Sequence, residues 1–169
     1  SDSENKFATG LNLGSGVALQ GTSKINTQGT LEQTGNALDM AIEGAGYFQV
    51  QRPDGSTAYT RAGNFSVTAE GTVVTSDGLP LIPAITVPQG ATSVTVGNDG
   101  TVSATLQGQA EPTQLGQIEL ASFMNSAGLQ SIGGNLLTET AASGTPQVGA
   151  AGLDGRGNIR SGNLETSNV

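Results

Sequence analysis

Two pairs of carboxylates in this sequence have a spacing that could serve acid and base chemistry. Asp39 and Glu43 are four residues apart, and Glu111 and Glu119 are eight residues apart. Glycoside hydrolysis uses two carboxyl groups on either side of a sugar, in a cleft that is usually lined by aromatic side chains. The chain has four Phe, two Tyr and no Trp, and its 14 acidic residues make chance pairs expected. A carboxylate glycosidase is therefore kept only as an alternative.

Most other catalytic groups are missing from the composition. The sequence has no Cys, no His and no Trp. This excludes thiol nucleophiles, imidazole acid and base catalysis, disulfides, and metal sites built from thiolate or imidazole ligands. A Ser nucleophile would need Lys6 or Lys24 as its base, and neither lysine lies in a recognisable motif. We predict no catalytic residue, no cofactor and no metal ion.

Two glycine-rich stretches have some features of binding loops. Residues 10–16 could suggest a phosphate loop, but Val17 and Ala18 follow where a Walker loop has Lys and Ser or Thr. Residues 152–158 look like one copy of a calcium-binding repeat, and such repeats bind through stacked copies. We interpret the first stretch as an extended arm and the second as a solvated loop. Asn64 begins an N-glycosylation pattern inside a predicted strand, and we give it no functional weight.

The charge of the chain limits its partners. Acidic residues outnumber basic residues 14 to 6, which gives a net charge of −8 and an isoelectric point near 4.2. Such a surface repels nucleic acid and anionic lipid, and the six cations are scattered along the chain. No stretch approaches the roughly 18 apolar residues of a membrane span. We predict neither nucleic-acid binding nor membrane insertion.

The elements that must position these residues are short β-strands. Phe48 and Val50 should lie on one side of a strand, with Gln49 and Gln51 on the other, and residues 52–56 supply a hairpin turn. Apolar spacing near residues 120–127 predicts a strand that leads into a short helix or turn. The pattern predicts a mainly all-β fold of antiparallel hairpins, with strands at 46–51, 57–61, 64–68, 72–75, 79–82, 92–96, 101–106 and 117–121.

The composition divides the chain into three parts. Residues 35–137 form the predicted central β-rich domain. Residues 1–34 and 138–169 are rich in small and polar residues, and are too weakly apolar to build a core alone. We expect them to be connecting arms that run outward from the central domain and pair with each other or with a neighbouring chain.

One long, ordered series of residues resembles the signature of the bacterial flagellar rod and hook proteins. The similarity covers nearly the whole chain from about Gly10, and residues 115–133 are most similar to the distal rod members of that family. The residues that carry the motif are Leu38, Asp39, Ile42, Gly44, Gly46, Tyr47, Phe48, Val50, Asp54, Gly55, Tyr59, Thr60, Arg61, Gly63, Phe65 and Gly71.

The last residues resemble the point at which family members begin their C-terminal helix. In that family, N- and C-terminal helices coil together in an inner tube, and a β-rich domain forms the outer layer. The resemblance therefore implies a fragment that lacks the polymerisation helices and ends where the second one starts. The junction residues are Glu165, Ser167, Asn168 and Val169.

The resemblance implies a non-enzymatic structural subunit of the flagellar distal rod, the drive shaft that transmits torque from the motor to the hook. The implied partners are identical subunits in a helical tube, other rod proteins, the hook protein and the surrounding basal-body rings. The implied location is the basal body, spanning the periplasm after type III export without a cleaved signal peptide. Alternatives are a hook, proximal-rod or phage-tail-like structural protein, or an extracellular β-rich adhesin.

The motif residues have expected physical roles. Gly44 and Gly46 would allow a tight bend, and Arg61 could pair with Asp39 or Glu43 to fix the incoming strand. If exposed, such a pair contributes at most about 1 kcal/mol. The expected core anchors contribute roughly 1.5 to 3 kcal/mol each on burial, and they are Phe48, Val50, Tyr59 and Phe65.

Overall fold

The computed structural model describes residues 28–167, and within that range the chain is built from sixteen short strands and one 3-10 turn at Ser126–Gly128. The prediction of an all-β fold with antiparallel pairing is confirmed. The strands are β1 (Thr30–Gln33), β2 (Met40–Glu43), β3 (Tyr47–Gln51), β4 (Thr57–Thr60), β5 (Ser66–Val67), β6 (Val73–Val74), β7 (Leu81–Ile82), β8 (Ala91–Val96), β9 (Thr101–Leu106), β10 (Thr113–Gln117), β11 (Glu119–Ser122), β12 (Gln130–Ser131), β13 (Leu137–Thr138), β14 (Gln147–Ala150), β15 (Asn158–Ser161) and β16 (Asn163–Thr166).

Seven of these strands form the main sheet. Their order is β12-β13-β4-β3-β11-β14, and β7 pairs with β3 beside that path. At its centre is the hairpin that the sequence predicts, with Phe48 opposite Thr60 and Val50 opposite Ala58. The backbone N–H of Arg52 donates to the carbonyl of Ser56 at 2.8 Å, which closes the predicted turn.

The larger hydrophobic core lies on one face of this sheet. Phe48, Val50 and Leu120 are completely buried there, and the ring of Phe48 meets the edge of Phe65 with centroids 5.1 Å apart. The side chains of Ile42 and Ile159, which are opposite each other on β2 and β15, are also completely buried. The aromatic and branched side chains of the motif therefore form the centre of the domain.

The opposite face of the main sheet is covered as well, which the alternation of residues did not predict. A second cluster contains Tyr47, Tyr59, Ala121 and Leu129, with Phe123 packed against it. Because both faces are covered, Gln49 is buried rather than solvated, with 6% of its surface exposed. The predicted pattern holds for Gln51, which is exposed.

A three-stranded sheet lies beside the main one in the order β10-β9-β8. Its register places Val102 opposite Val96 and Ala104 opposite Val94. Because successive side chains of a strand point to opposite faces, these four residues lie on one face of the sheet. After β11, the chain enters the 3-10 turn at Ser126–Gly128, where the sequence predicts a short helix or turn.

The C-terminal part of the chain is woven into the β-structure. Strand β14 joins the main sheet by pairing with β11, β15 pairs with β2, and Ala151 and Ile159 belong to the larger core. The low apolar content of residues 138–169 predicted a connecting arm. It does not reveal these strands, because their small residues pack backbone against backbone. A Cβ on Gly157, for example, would collide with the carbonyl oxygen of Glu43.

The two ends of the described chain lie side by side. Strand β16 pairs with β1, with Thr166 opposite Thr30 and Asn163 opposite Gln33. Residues 163–166 are thus a strand that contains Glu165, and the expected start of a helix after it stays a prediction. Asn168 and Val169 lie outside the described residues, as do Lys6, Lys24, residues 10–16 and most of the expected N-terminal arm. Residues 28–167 contain no helix long and apolar enough to cross a membrane.

Candidate functional site

The densest polar network of the described residues is centred on Arg61, directly after β4. Its guanidinium donates to both carboxylate oxygens of Glu165, from Nε to Oε1 and from Nη2 to Oε2, each at 3.1 Å. It also donates to the carbonyl oxygens of Ile42 at 3.0 Å, Gly44 at 2.7 Å and Gly46 at 3.0 Å. An arginine carries five N–H groups, so every one of them can be satisfied here.

The Glu165 carboxylate is held from its other side by the N-terminal end of the described chain. Oε2 accepts from the backbone N–H of Gly29 and from Nε2 of Gln28, both at 2.7 Å. Gln28 in turn accepts the backbone N–H of Gly44 at 2.9 Å. Only 11% of the Glu165 side chain and 24% of the Arg61 side chain are exposed. The two charges are therefore largely withdrawn from water, and they compensate each other through bidentate bonding.

We call this network of Gln28, Arg61 and Glu165 the Arg61 latch. It joins four elements: the incoming strand β1, the outgoing strand β16, the bend between β2 and β3, and the end of β4. Leu31 lies directly opposite Glu165 in the β1–β16 ladder, so that the ladder's register fixes the position of the carboxylate. The latch therefore couples both chain ends to the main sheet at one place.

The expected pairing of Arg61 with Asp39 or Glu43 is wrong. Glu43 is bonded to Nε of Arg160 at 2.7 Å, in a pair whose two side chains are 47% and 49% exposed. Asp39 contributes a hydrogen bond through its backbone: its carbonyl oxygen accepts the N–H of Gly162 at 2.8 Å. Sequence spacing suggests only the nearby acids Asp39 and Glu43 as partners. No feature of the sequence indicates that Glu165 or Gln28 would reach this arginine.

Two motif glycines permit close contact between backbones around the latch. Gly44 has a φ of +115°, and a Cβ there would lie 2.9 Å from the Cα of Gly157. At Gly63, a Cβ would collide with the carbonyl oxygen of Met40, while the N–H of Met40 donates to the Gly63 carbonyl at 2.9 Å. Glycine is required at both positions by space, and at Gly44 also by conformation.

The remaining motif residues lie around the two cores and in turns. Leu38 packs partly buried against the larger core. Thr60 is buried, and its hydroxyl oxygen accepts the N–H of Ala62 at 3.0 Å. Asp54 accepts the N–H of Ser56 at 2.9 Å and its hydroxyl at 2.6 Å. Those hydrogen bonds, led by that of the Ser56 hydroxyl, lower the pKa of the Asp54 carboxyl. Gly55 and Gly71 both have positive φ angles in turns, and Ser167 is exposed.

The carboxylates that the sequence singled out do not converge within the described residues. Glu111 is in an exposed loop before β10, whereas Glu119 begins β11 in the main sheet. In the loop at 152–158, Asp154 is bonded to Nη2 of Arg156 at 3.4 Å. Across residues 28–167, no group of three or more acidic side chains is placed to hold a metal ion. The arrangement provides a charge-compensated joint between strands.

The chain is similar to one described protein family and to individual proteins of known name. Residues 41–104 match the family described as the Flagellar hook protein FlgE/F/G D1 domain. A flagellar basal-body rod protein FlgG of Buchnera aphidicola is 46% identical over 166 residues, which are 98% of this chain and 64% of that protein. The chain belongs to the flagellar rod and hook protein family.

Other members of this family show the same partial overlap. The rod protein FlgG of Caulobacter vibrioides is 46% identical over 98% of this chain and 63% of its own length. The rod protein FlgF of the same bacterium is 35% identical over 88% of this chain and 57% of its own length. The chain therefore spans less than two thirds of the length of these relatives. Arg61 lies inside the residues that match the family domain, and Glu165 lies outside them.

Proposed function

We propose that this chain is the β-rich part of a structural subunit of the bacterial flagellar distal rod. The observation that carries the proposal is the Arg61 latch, which holds the incoming strand β1 and the outgoing strand β16 together against the main sheet. A domain held by two paired strands at one end can pass a mechanical load through both of them. The proposed role is mechanical and requires no reactive group.

The names and similarities of the relatives support a rod subunit over its family alternatives. The FlgG proteins of Buchnera and Caulobacter reach 46% identity, and the FlgG protein of Bacillus subtilis is 40% identical over 93% of this chain. The FlgF protein of Caulobacter reaches 35%. A hook subunit is the second candidate, because the description of the matching family domain includes the hook protein FlgE.

The proposal includes an assembly and a location. Identical copies pack in a helical tube, with other rod proteins, the hook and the basal-body rings as neighbours. The tube is part of the basal body and crosses the periplasm, and the subunit is exported by the flagellar apparatus without a cleaved leader. Within the subunit, β1 and β16 form the stalk through which arms at the two ends of the chain would connect the central domain to the inner layer.

The test is made in the bacterium that encodes this chain. Its gene is deleted, and basal bodies are isolated and imaged by electron microscopy. We expect rods that lack their distal segment and cells that do not swim, with both defects repaired by the wild-type gene. Basal bodies with complete straight rods in the deletion strain would contradict the proposal. Complete rods that lack a curved hook would instead favour the second candidate.

Two substitutions make the same experiment specific to the latch. Arg61→Met removes the five hydrogen bonds, and we expect it to reduce the number of complete rods. Arg160→Met is the matched control, because the Arg160–Glu43 pair is about half exposed and connects only β15 and β2. An equal defect in the two variants would contradict the role given to the latch.

A further inference from the structure

This chain contains very few side chains that oxidants attack. It has no Cys, no Trp and no His, and it carries two methionines and two tyrosines among its 169 residues. Cysteine and methionine are the side chains that peroxide oxidises, whereas tyrosine reacts with stronger oxidants. All four of the oxidisable side chains lie within residues 28–167, and they are Met40, Tyr47, Tyr59 and Met124. The structure therefore shows the exposure of every such group in the chain.

Three of these four side chains are buried, and one is not. Met40 is completely buried in β2, and Tyr47 and Tyr59 are each only 4% exposed. Met124 is 94% exposed. Of the four, only the thioether of Met124 is therefore open to a dissolved oxidant in the folded protein.

The backbone on either side of Met124 is held in place. The ring of Phe123 meets that of Tyr59 edge-on, with centroids 4.9 Å apart. The side chain of Asn125 donates from Nδ2 to the carbonyl oxygen of Ala142 at 3.1 Å. Met124 lies between these two anchored residues, while its own side chain extends from the surface. A chemical change at its sulfur therefore leaves both contacts intact.

We propose that Met124 is a site of reversible oxidation, at which peroxide converts the thioether to methionine sulfoxide. A lone pair of the sulfur attacks one oxygen of the peroxide, and the S–O bond forms as the O–O bond breaks. The leaving hydroxide takes the proton of the transferred oxygen and departs as water. The sulfur thus loses the two electrons that the peroxide gains.

The reverse reaction requires an enzyme of the methionine sulfoxide reductase class. It oxidises a dithiol to a disulfide, returns the sulfur to the thioether and releases the oxygen as water. Both directions need only an accessible sulfur atom, so the modification of Met124 is independent of the proposed function.

The two methionines should respond to oxidation in opposite ways. A sulfoxide is polar where the thioether is apolar. At Met124 it would remain in water, so we expect no change in the stability of the fold. At Met40, which belongs to the larger core, it would place a polar group among apolar side chains. Stability after oxidation therefore reports which methionine has reacted.

The test treats the purified full-length protein with hydrogen peroxide and follows the two methionines separately by peptide mass spectrometry. In the folded protein, we expect Met124 to gain one oxygen about tenfold or more faster than Met40. In denaturant, where both are exposed, the two rates should agree within about twofold. Met124→Leu should remove the fast reaction, and Met40→Leu, the matched control, should leave it unchanged. If Met40→Leu does not fold, the rates in the folded and denatured wild-type protein decide the outcome.

Thermal unfolding and a reductase complete the experiment. Protein oxidised at Met124 should unfold at the same temperature as before, and a methionine sulfoxide reductase with a dithiol should remove the added oxygen. Equal rates at Met124 and Met40 in the folded protein would overturn the proposal. So would a lower unfolding temperature after oxidation of Met124 alone, or a sulfoxide that the reductase cannot reach.

Discussion

Nε of Arg61 lies 3.1 Å from Oε1 of Glu165, although 104 residues separate the two positions in the chain. The pair links the end of the central hairpin to the last strand of the described structure. Among residues 28–167, β1 and β16 pair only with each other, and this contact is one of those that join their ladder to the rest of the domain. The Arg61 latch therefore closes the domain at the place where the chain arrives and departs.

Loss of the charge on Glu165 should destabilise the domain. Glu165→Gln keeps the shape of the side chain but removes the anion that accepts four hydrogen bonds, two from Arg61 and one each from Gln28 and Gly29. We expect the free energy of unfolding to fall by about 2 kcal/mol, as for hydrogen bonds to charged groups. Urea unfolding of the purified chain measures it. The matched control is Glu43→Gln, where we expect less than about 1 kcal/mol because that pair is half exposed. Equal losses of unfolding free energy in the two variants would contradict the expectation that Glu165 stabilises the domain more than Glu43.

A side chain at Gly63 should be harmful although its φ lies outside the positive range that favours glycine. Gly63→Ala forces a methyl group against the carbonyl oxygen of Met40, in a buried strand. We expect a loss of about 3 kcal/mol, because the backbone must shift. Gly55→Ala is the control, since it has a φ of +88° but no heavy atom within 4 Å of the new Cβ. Its cost should be about 1 kcal/mol, from conformation alone. If Gly55→Ala is the more harmful change in urea unfolding, the close contact is unimportant.

Tyr59 should ionise only under strongly alkaline conditions. Burial raises the pKa of its phenol above the usual value of 10.0, and the Coulombic effect of Glu139 adds to the rise. A raised pKa in the folded state favours the protonated form. The resulting stability is complete below the unfolded-state pKa and is lost as the pH rises through the folded-state pKa. The difference between the absorbance titrations of the wild-type chain and Tyr59→Phe isolates this group. Ionisation of Tyr59 at or below its usual pKa would contradict the burial.

Asp54 should stabilise its turn except in acid. The hydroxyl and backbone N–H of Ser56 lower the pKa of the Asp54 carboxyl below its usual value of 3.8. A lowered pKa gives stability that is present above the unfolded-state value and is lost as the pH falls through the folded-state value. An NMR titration of the carboxyl carbon should show the low pKa, and Ser56→Ala should return it toward 3.8. An unchanged titration in that variant would exclude the hydroxyl as the main cause.

The central hairpin shows how far local sequence information reaches. The alternation of residues around Phe48 and the turn at residues 52–56 were both expected, because each depends on residues within about ten positions. The burial of Gln49 was not expected. It follows from the second cluster of Tyr47, Tyr59 and Leu129, whose members come from distant parts of the chain. Whether a face is solvated depends on what covers it, which strand alternation does not specify.

Residues 138–169 show the limit more clearly. Their glycines and small residues resembled a loose arm, yet they form β14, β15 and β16. Gly157 fits closely against Glu43, and Gly149 leaves the space that the Arg156 guanidinium occupies. Small residues carry little hydrophobic signal in a sequence. Their contribution to packing is visible only in the structure, where another part of the chain lies so close that a larger side chain would not fit.

By itself, the sequence determined the all-β class, the main hairpin, the aromatic and branched residues of the core and the resemblance to the flagellar rod and hook family. These features rest on residue types, short periods and turns, which are encoded locally. The tertiary structure alone decided that Arg61 pairs with Glu165, that Gln28 completes the latch and that the chain ends form one ladder. The physical reason is that the register between strands more than 100 residues apart depends on the packing of the whole domain.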